Sequence, residues 1–286
     1  MQYNARHHHV WVAQITKIIQ YVCQHATGTV YHMTSGEHSI YGFIPARCGS
    51  KRVPDKNIRK LNHHPLMAYA IRSAIDSGIF DSVIVSTDSE AYADIARHYG
   101  AEVPFLRPTE LAGDKSPDIQ WIEHLLSSLK DDGRASDCFA ILRPTSPFRQ
   151  ADTIQRAWSQ FQATEGIDSL RAVEPCGQHP GKMWSINGPL MSPILPYVLD
   201  GTPWHSNQYA ALPEIYVQNA SLEIAWSRVV LDGGSIAGNV IAPFLTHGSE
   251  GVDVNAKADW WYAEYLVENE KANLPNISLP PYTESS

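Results

Sequence analysis

Cysteine is scarce in this 286-residue chain. Cys23, Cys48, Cys138 and Cys176 lie far apart with no C-x-x-C pair among them, so neither a zinc site nor a disulfide framework is indicated and a reducing cytoplasm is the expected setting. Long apolar runs are missing too. No stretch approaches the ~20 residues of a membrane span, so no membrane partner is expected. Residues 1 to 38 lack the unbroken apolar core and small-residue cleavage site of a secretory leader. They read instead as a poorly ordered N-terminal extension, in which His7 to His9 is a polar tract rather than a metal patch. Positive charge is in deficit: 22 Lys and Arg against 30 Asp and Glu leave a net charge of -8. Nucleic-acid binding needs a basic face that neutralises many phosphates, and is not expected.

What is present is an alternation. From Ile40 onward short apolar runs such as "SIYGFIPA" (39 to 46), "SVIVSTD" (82 to 88), "AEVPFLRP" (101 to 108) and "CFAILRPTSP" (138 to 147) are separated by helical patterns. In "PLMAYAIRSAIDSG" (65 to 78), Leu66/Ala70/Ala74 and Met67/Ile71/Ile75 form two stripes at i, i+4 spacing and Gly78 marks the stop. Repeated β-α units predict an α/β fold with a largely parallel sheet and right-handed crossovers. Residues 39 to 272 form its one domain, and 273 to 286 a Pro-rich tail. Residues 176 to 214, rich in Pro, Gly and aromatics, break the rhythm and are expected to leave the sheet as an arm. Trp184, Leu190, Ile194, Leu195, Tyr197 and Trp204 have no period that buries them on a layer of their own, which points to the interface of a homodimer.

The deficit of cations is reversed at one place. "IPARCGSKRVPDKNIRK" (44 to 60) directly follows the first strand and carries Arg47, Lys51, Arg52, Lys56, Arg59 and Lys60. It matches neither G-x-G-x-x-G nor G-x-x-x-x-G-K-[ST]. In open α/β sheets ligands bind at the carboxyl ends of strands, and the loop after the first strand is the usual phosphate cradle. Arg47, Gly49, Ser50, Lys51 and Lys56 supply backbone amides, a hydroxyl and fixed cations, which suits a triphosphate under attack better than a merely solvated loop.

"IPARCGSKRVPDKNIRKL" resembles the signature loop of the acylneuraminate cytidylyltransferases, the CMP-sialic acid synthetase family. The resemblance continues in order through "VIVSTDSEAYADIARHYGAEVPFLRPTELAGDKS", "ILRPTSPFRQADTI", "LPEIYVQNASLEIA" and "GVDVNAKADWWYAE", covering about residues 40 to 270. It implies a Rossmann-like, glycosyltransferase-A-like nucleotidyltransferase sheet with helices on both faces and a dimerisation arm. The implied partners are CTP and an acidic sugar, a nonulosonic acid converted to its CMP derivative with release of pyrophosphate. Carried over residue by residue, Arg47 and Lys56 are catalytic and, with Gly49, Ser50, Lys51 and Asn57, surround the triphosphate; Arg107 and Ser116 contact cytosine and ribose. Arg143, Thr145, Ser146, Arg149 and Asn219 fall on the sugar side, and Asp253 with Asn255 on a Mg²⁺ site.

Two positions depart from the family's pattern. Arg143 stands where Gln is usual, and a fixed cation there favours a more anionic acceptor or a different sugar. Asn255 replaces the second carboxylate of an Asp-x-Asp metal pair, keeping an oxygen but losing a charge. These departures leave two alternatives open: another sugar or polyol acceptor, or a non-catalytic nucleotide-binding relative. Asp88 reads as a helix cap or strand end, and Asp114 as a loop-ordering side chain. Trp260 and Trp261 point about 100° apart on a helix, so at least one of them is core or interface.

Overall fold

The computed structural model of the protein describes residues 38–283. Of the expected N-terminal extension only residue 38 falls within that range, and the tail is described as far as 283. In chain order the strands are β1 (Ile40–Pro45), β2 (Lys60–Leu61), β3 (His64–Pro65), β4 (Ser82–Ser86), β5 (Cys138–Ile141), β6 (Ser169–Pro175), β7 (Trp184–Asn187), β8 (Leu190–Pro193), β9 (Val198–Leu199), β10 (Thr202–Pro203), β11 (Tyr216–Trp226) and β12 (Ile241–Leu245). The helices are α1 (Leu66–Ser77), α2 (Glu90–His98), α3 (Asp118–Asp131), α4 (Ala151–Ala163), α5 (Ser227–Leu231) and α6 (Lys257–Glu268).

One six-stranded sheet, ordered β12-β6-β11-β5-β1-β4, forms the centre. Its central strands β1, β4 and β5 are short and apolar on both faces because helices cover both. Ile40 and Ile44 of β1, Val83 and Val85 of β4, and Ala140 of β5 meet α1, α2 and α4 on one face. Tyr41, Phe43, Ile84, Phe139 and Ile141, one residue out of phase, meet α3 and α5 on the other. A third cluster packs Trp260, Ala263 and Leu266 of α6 against Val53, Leu61, Leu66, Tyr69 and Phe148. Trp260 is buried there and Trp261 is 66% exposed, as their angular separation on the helix predicts. Helix α1 stops where expected: Gly78 adopts φ 68°, a left-handed cap natural to glycine, and its N–H bonds the Ile75 carbonyl.

The sheet is largely parallel, as expected, and the exception is β11, which runs antiparallel to both of its neighbours, β5 and β6. One sequence expectation needs correction. Residues 101–108 do not form a full strand: Glu102 alone bridges to Ile84. Pro104 has no N–H to continue the ladder, and the chain turns away.

The sheet order fixes where a ligand can sit. β1 pairs in parallel with β4 on one side and with β5 on the other. The chain crosses first to one side and later to the other, so a crevice opens beyond the carboxyl ends of β1 and β5. The basic loop leaves β1 into that crevice, and the "LRPTSP" turn leaves β5 into it.

Residues 176–214 lie outside this sheet as the hairpins β7–β8 and β9–β10 with short helical turns. The neck of the arm is clasped by His179, whose Nε2 donates to the Pro213 carbonyl at 3.0 Å, and by Tyr209, whose hydroxyl donates to the Gly177 carbonyl. Trp204 is half-buried inside the arm, against His179 and Tyr197. Leu190, Ile194 and Tyr197 remain exposed, joined by Ile186 and Met191.

Candidate active site

The crevice holds a cavity of about 380 Å³. The basic loop forms one wall, and its backbone is tied down at several points. Ala46 N–H bonds the Ser86 carbonyl at 3.0 Å, the Asn57 side-chain amide donates to the Arg47 carbonyl at 3.0 Å, and Asp88 accepts both the Cys48 N–H (2.8 Å) and the Cys48 thiol (3.0 Å). Asp88 is therefore no helix cap; Ser89 caps α2, its hydroxyl accepting from Tyr92 N–H. Beyond Cys48 the chain turns at Gly49 with φ 73°. Arg47, Ser50, Arg52, Lys56 and Asn57 line the cavity. Gly49 and Lys51 are exposed and do not line it. Lys51 is largely exposed and pairs with Asp114 at 2.5 Å, while Arg47 pairs with the same carboxylate at 2.7 Å. Asp114 thus orders the two loops across the mouth.

At the floor Lys56 donates to the Val254 carbonyl at 2.8 Å and to Asn255 Oδ1 at 3.2 Å. Burial lowers the Lys56 pKa to about 8, partly opposed by the charge of Asp253. Asp253 faces the cavity beside the basic loop. Its Oδ2 accepts from the Asn255 amide, while its Oδ1 is buried without a hydrogen-bond partner among the described residues. The segment is held in place by Val254 N–H bonding the Thr145 carbonyl and by Asp259, which accepts from the N–H groups of Asn255 and Ala256. Asn255 turns its oxygen toward the Lys56 ammonium, so of the expected metal pair Asp253 Oδ1 is the carboxylate oxygen left without a partner among the described residues.

A third wall comes from residues 107–121. Arg107 is buried, with Nε on Ser86 Oγ (3.0 Å) and Nη2 on the Ser86 carbonyl (2.9 Å), and its guanidinium lies 4.8 Å from the Trp121 ring centroid. Burial lowers its pKa to about 10. Ser116 lines the cavity with its hydroxyl donating to the Glu110 carbonyl.

The acceptor wall differs from the sequence expectation in two ways. Arg143 and Thr145 line the cavity, whereas Ser146, Arg149 and Asn219 lie one layer behind it. Arg149 is fully buried and donates to the Ser221 and Arg143 carbonyls; Asn219 donates to Thr246 Oγ1 and Glu174. None of these three lines the cavity, and the hydrogen bonds of Arg149 and Asn219 tie together the elements behind it. Nor is Arg143 a free cation. Its Nη2 donates to Asp118 Oδ2 at 2.6 Å and to Glu223 Oε1 at 3.0 Å, and Glu223 is also paired with Arg171. Burial alone would lower the Arg143 pKa, but these two carboxylates outweigh it and raise it. Sequence reasoning missed Arg52, Asp118, Trp121 and Ala220 as lining residues. Arg52 was visible in the basic run; the others come from a helix face and a bulged strand whose placement no local pattern signals.

A nucleotide-binding α/β fold with its cations gathered at the switch point describes a class of enzyme, and comparison narrows it. A model of the family described as cytidylyltransferase matches residues 41–172. The CMP-N,N'-diacetyllegionaminic acid synthase of Legionella pneumophila is 36% identical over 237 residues, spanning 82% of this chain and 98% of that protein. An N-acylneuraminate cytidylyltransferase of Escherichia coli is 33% identical over 242 residues, 84% of this chain and 54% of that longer protein. Among solved structures, a CMP:2-keto-3-deoxy-manno-octonic acid synthetase complexed with CTP superposes with a TM-score of 0.59 at 12% identity, covering 81% of this chain and 99% of the other. A 4-diphosphocytidyl-2C-methyl-D-erythritol synthase from Anaerococcus prevotii gives 0.54 at 10% identity, covering 82% and 100%; at such identities the likeness concerns the fold. The chain belongs to the cytidylyltransferase family and is a nucleotidyltransferase.

Proposed function

We propose that this enzyme condenses CTP with a nonulosonic acid, forming the CMP-sugar and pyrophosphate. The observation that carries the reading is one cavity in which Arg47, Arg52 and Lys56 face Asp253 on one side and Arg143 with Thr145 on the other. A triphosphate along the basic loop brings its α-phosphorus toward Lys56, with cytosine and ribose along Arg107, Ser116 and Trp121. The acceptor hydroxyl attacks the α-phosphorus, the bond to the β-phosphate oxygen breaks, and pyrophosphate leaves against Arg47 and Arg52. Such a transfer asks the protein mainly for alignment and charge neutralisation. The unpartnered Asp253 Oδ1 suits Mg²⁺, which would neutralise phosphate charge when bound. Asn255 serves there as the hydrogen-bond partner that orients Asp253. The exposed apolar arm supports pairing with a second copy into a homodimer, and dependence on CTP supports a cytoplasmic site of action.

The test is pyrophosphate release with CTP and Mg²⁺ against a panel of N-acetylneuraminic, N,N'-diacetyllegionaminic, pseudaminic and 2-keto-3-deoxy-manno-octonic acids. Acceptor-dependent release with one of the nine-carbon acids supports the reading; release with none of them removes it.

A further inference from the structure

We propose that Asp88 is the positioning residue of the triphosphate loop, a two-point carboxylate clasp that fixes where the Gly49 and Ser50 amides point. The inference rests on the triphosphate lying along that loop. A segment carrying Arg47, Lys51, Arg52 and Lys56 repels itself, and its backbone has no sheet partner beyond Pro45. Ala46 is held by the Ser86 carbonyl and the Arg47 carbonyl by Asn57, while the last fixed point before the left-handed turn at Gly49 is Cys48. Both donors of Cys48, the main-chain N–H and the thiol, converge on the two oxygens of one carboxylate, at 2.8 and 3.0 Å.

A carboxylate suits this place in a way an amide does not, since it accepts at both oxygens and repels neither donor. The surroundings agree. Burial raises the Asp88 pKa, but the bonds from the Cys48 thiol and amide and the charge of Arg107 outweigh it and keep the carboxyl ionised. The same carboxylate raises the Cys48 thiol pKa, first through the hydrogen bond, then by burial and its negative charge. Asp88 lies two residues beyond β4 and α2 begins at Glu90, so the clasp joins the loops after two adjacent parallel strands.

Asp88→Asn keeps the shape but can accept at only one oxygen, and it turns an N–H₂ toward the other donor. The expected result is a KM for CTP about tenfold or more higher, with the acceptor KM within about twofold, because a misaligned phosphate loop is felt by one substrate. Alkylation of Cys48 by iodoacetamide, followed by peptide mass spectrometry, accelerates about threefold or more, because the thiol loses its carboxylate partner. In the unmodified protein the Cys48 amide exchanges its hydrogen far more slowly than the Gly49 and Ser50 amides, a measurement that needs no variant to fold. A CTP KM within about twofold of wild type together with an unchanged alkylation rate overturns the proposal, as does unprotected exchange at Cys48. CTP turnover in wild type with an unaltered variant sinks the clasp alone; no CTP turnover in wild type sinks the functional reading and the clasp together.

Discussion

The proposed nucleotide side and the proposed acceptor side of this cavity are built differently. On the nucleotide side Arg47, Ser50, Arg52, Lys56 and Asn57 come from one stretch of eleven residues, and much of their charge is open to a ligand. On the acceptor side the charges cancel one another: Arg143 is held between Asp118 and Glu223, and Glu223 is shared with Arg171. One side waits for an anion and supplies its counter-charge. The other is already neutralised, so it selects by shape and by the direction of its remaining donors rather than by net charge. Substitutions on the two sides should therefore separate in their effects.

The largest effect is expected where the two sides meet. Asp253→Asn should lower kcat by about a hundredfold or more in Mg²⁺-dependent steady-state assays, since it removes the carboxylate charge and its unpartnered oxygen at the floor. Asn255→Asp should retain activity and reach half-maximal rate at lower Mg²⁺. Next comes Lys56→Ala, expected to cost tens-fold in turnover without loss of fold, consistent with about 2–4 kcal/mol of transition-state contact. Wild type should reveal Lys56 through pH as well. Folding lowers its pKa to about 8, so the ammonium form prevails below that value and is lost as pH rises through it; kcat/KM for CTP should fall above about pH 8. A flat profile to pH 9.5 would remove Lys56 from the phosphate contacts.

Glu223→Gln tests the acceptor side in isolation. Removing one partner from a buried charged cluster costs about 3 kcal/mol of stability, read as a lower denaturant midpoint. In the protein that remains folded, the KM for the acceptor should rise about tenfold while that for CTP stays within about twofold. A CTP KM that rises in step would dissolve the contrast between the two sides. The smallest effect belongs to Asp114→Asn, whose exposed pairs with Arg47 and Lys51 compete with the triphosphate; the KM for CTP should change by less than about threefold, downward.

The same contrast explains what the sequence made legible. The basic loop could be read because its residues are neighbours in the chain and follow a recognisable strand. The layers were readable too, because α1 shows apolar stripes at i, i+4 spacing and β1 is a short apolar run buried on both faces. Charge balance at Arg143 could not be read: Asp118 lies 25 residues away on a helix and Glu223 80 away on β11, whose antiparallel pairing with β5 brings it alongside. That Arg149, Ser146 and Asn219 lie behind the cavity lining was illegible for a related reason: polar residues beside a turn suit either contact or support, and their burial follows from the tertiary fold. Asp88 was read as a local cap although its partner, Cys48, is 40 residues distant.

Phosphorus-31 NMR of a reaction containing the enzyme, Mg²⁺, CTP and N,N'-diacetyllegionaminic or N-acetylneuraminic acid tests the central claim most directly. The account predicts that the triphosphate resonances give way to pyrophosphate and a single phosphodiester in equal amounts, and that this requires the acceptor. Unchanged CTP with every nine-carbon acid, or pyrophosphate accompanied by free CMP and no phosphodiester, would contradict it.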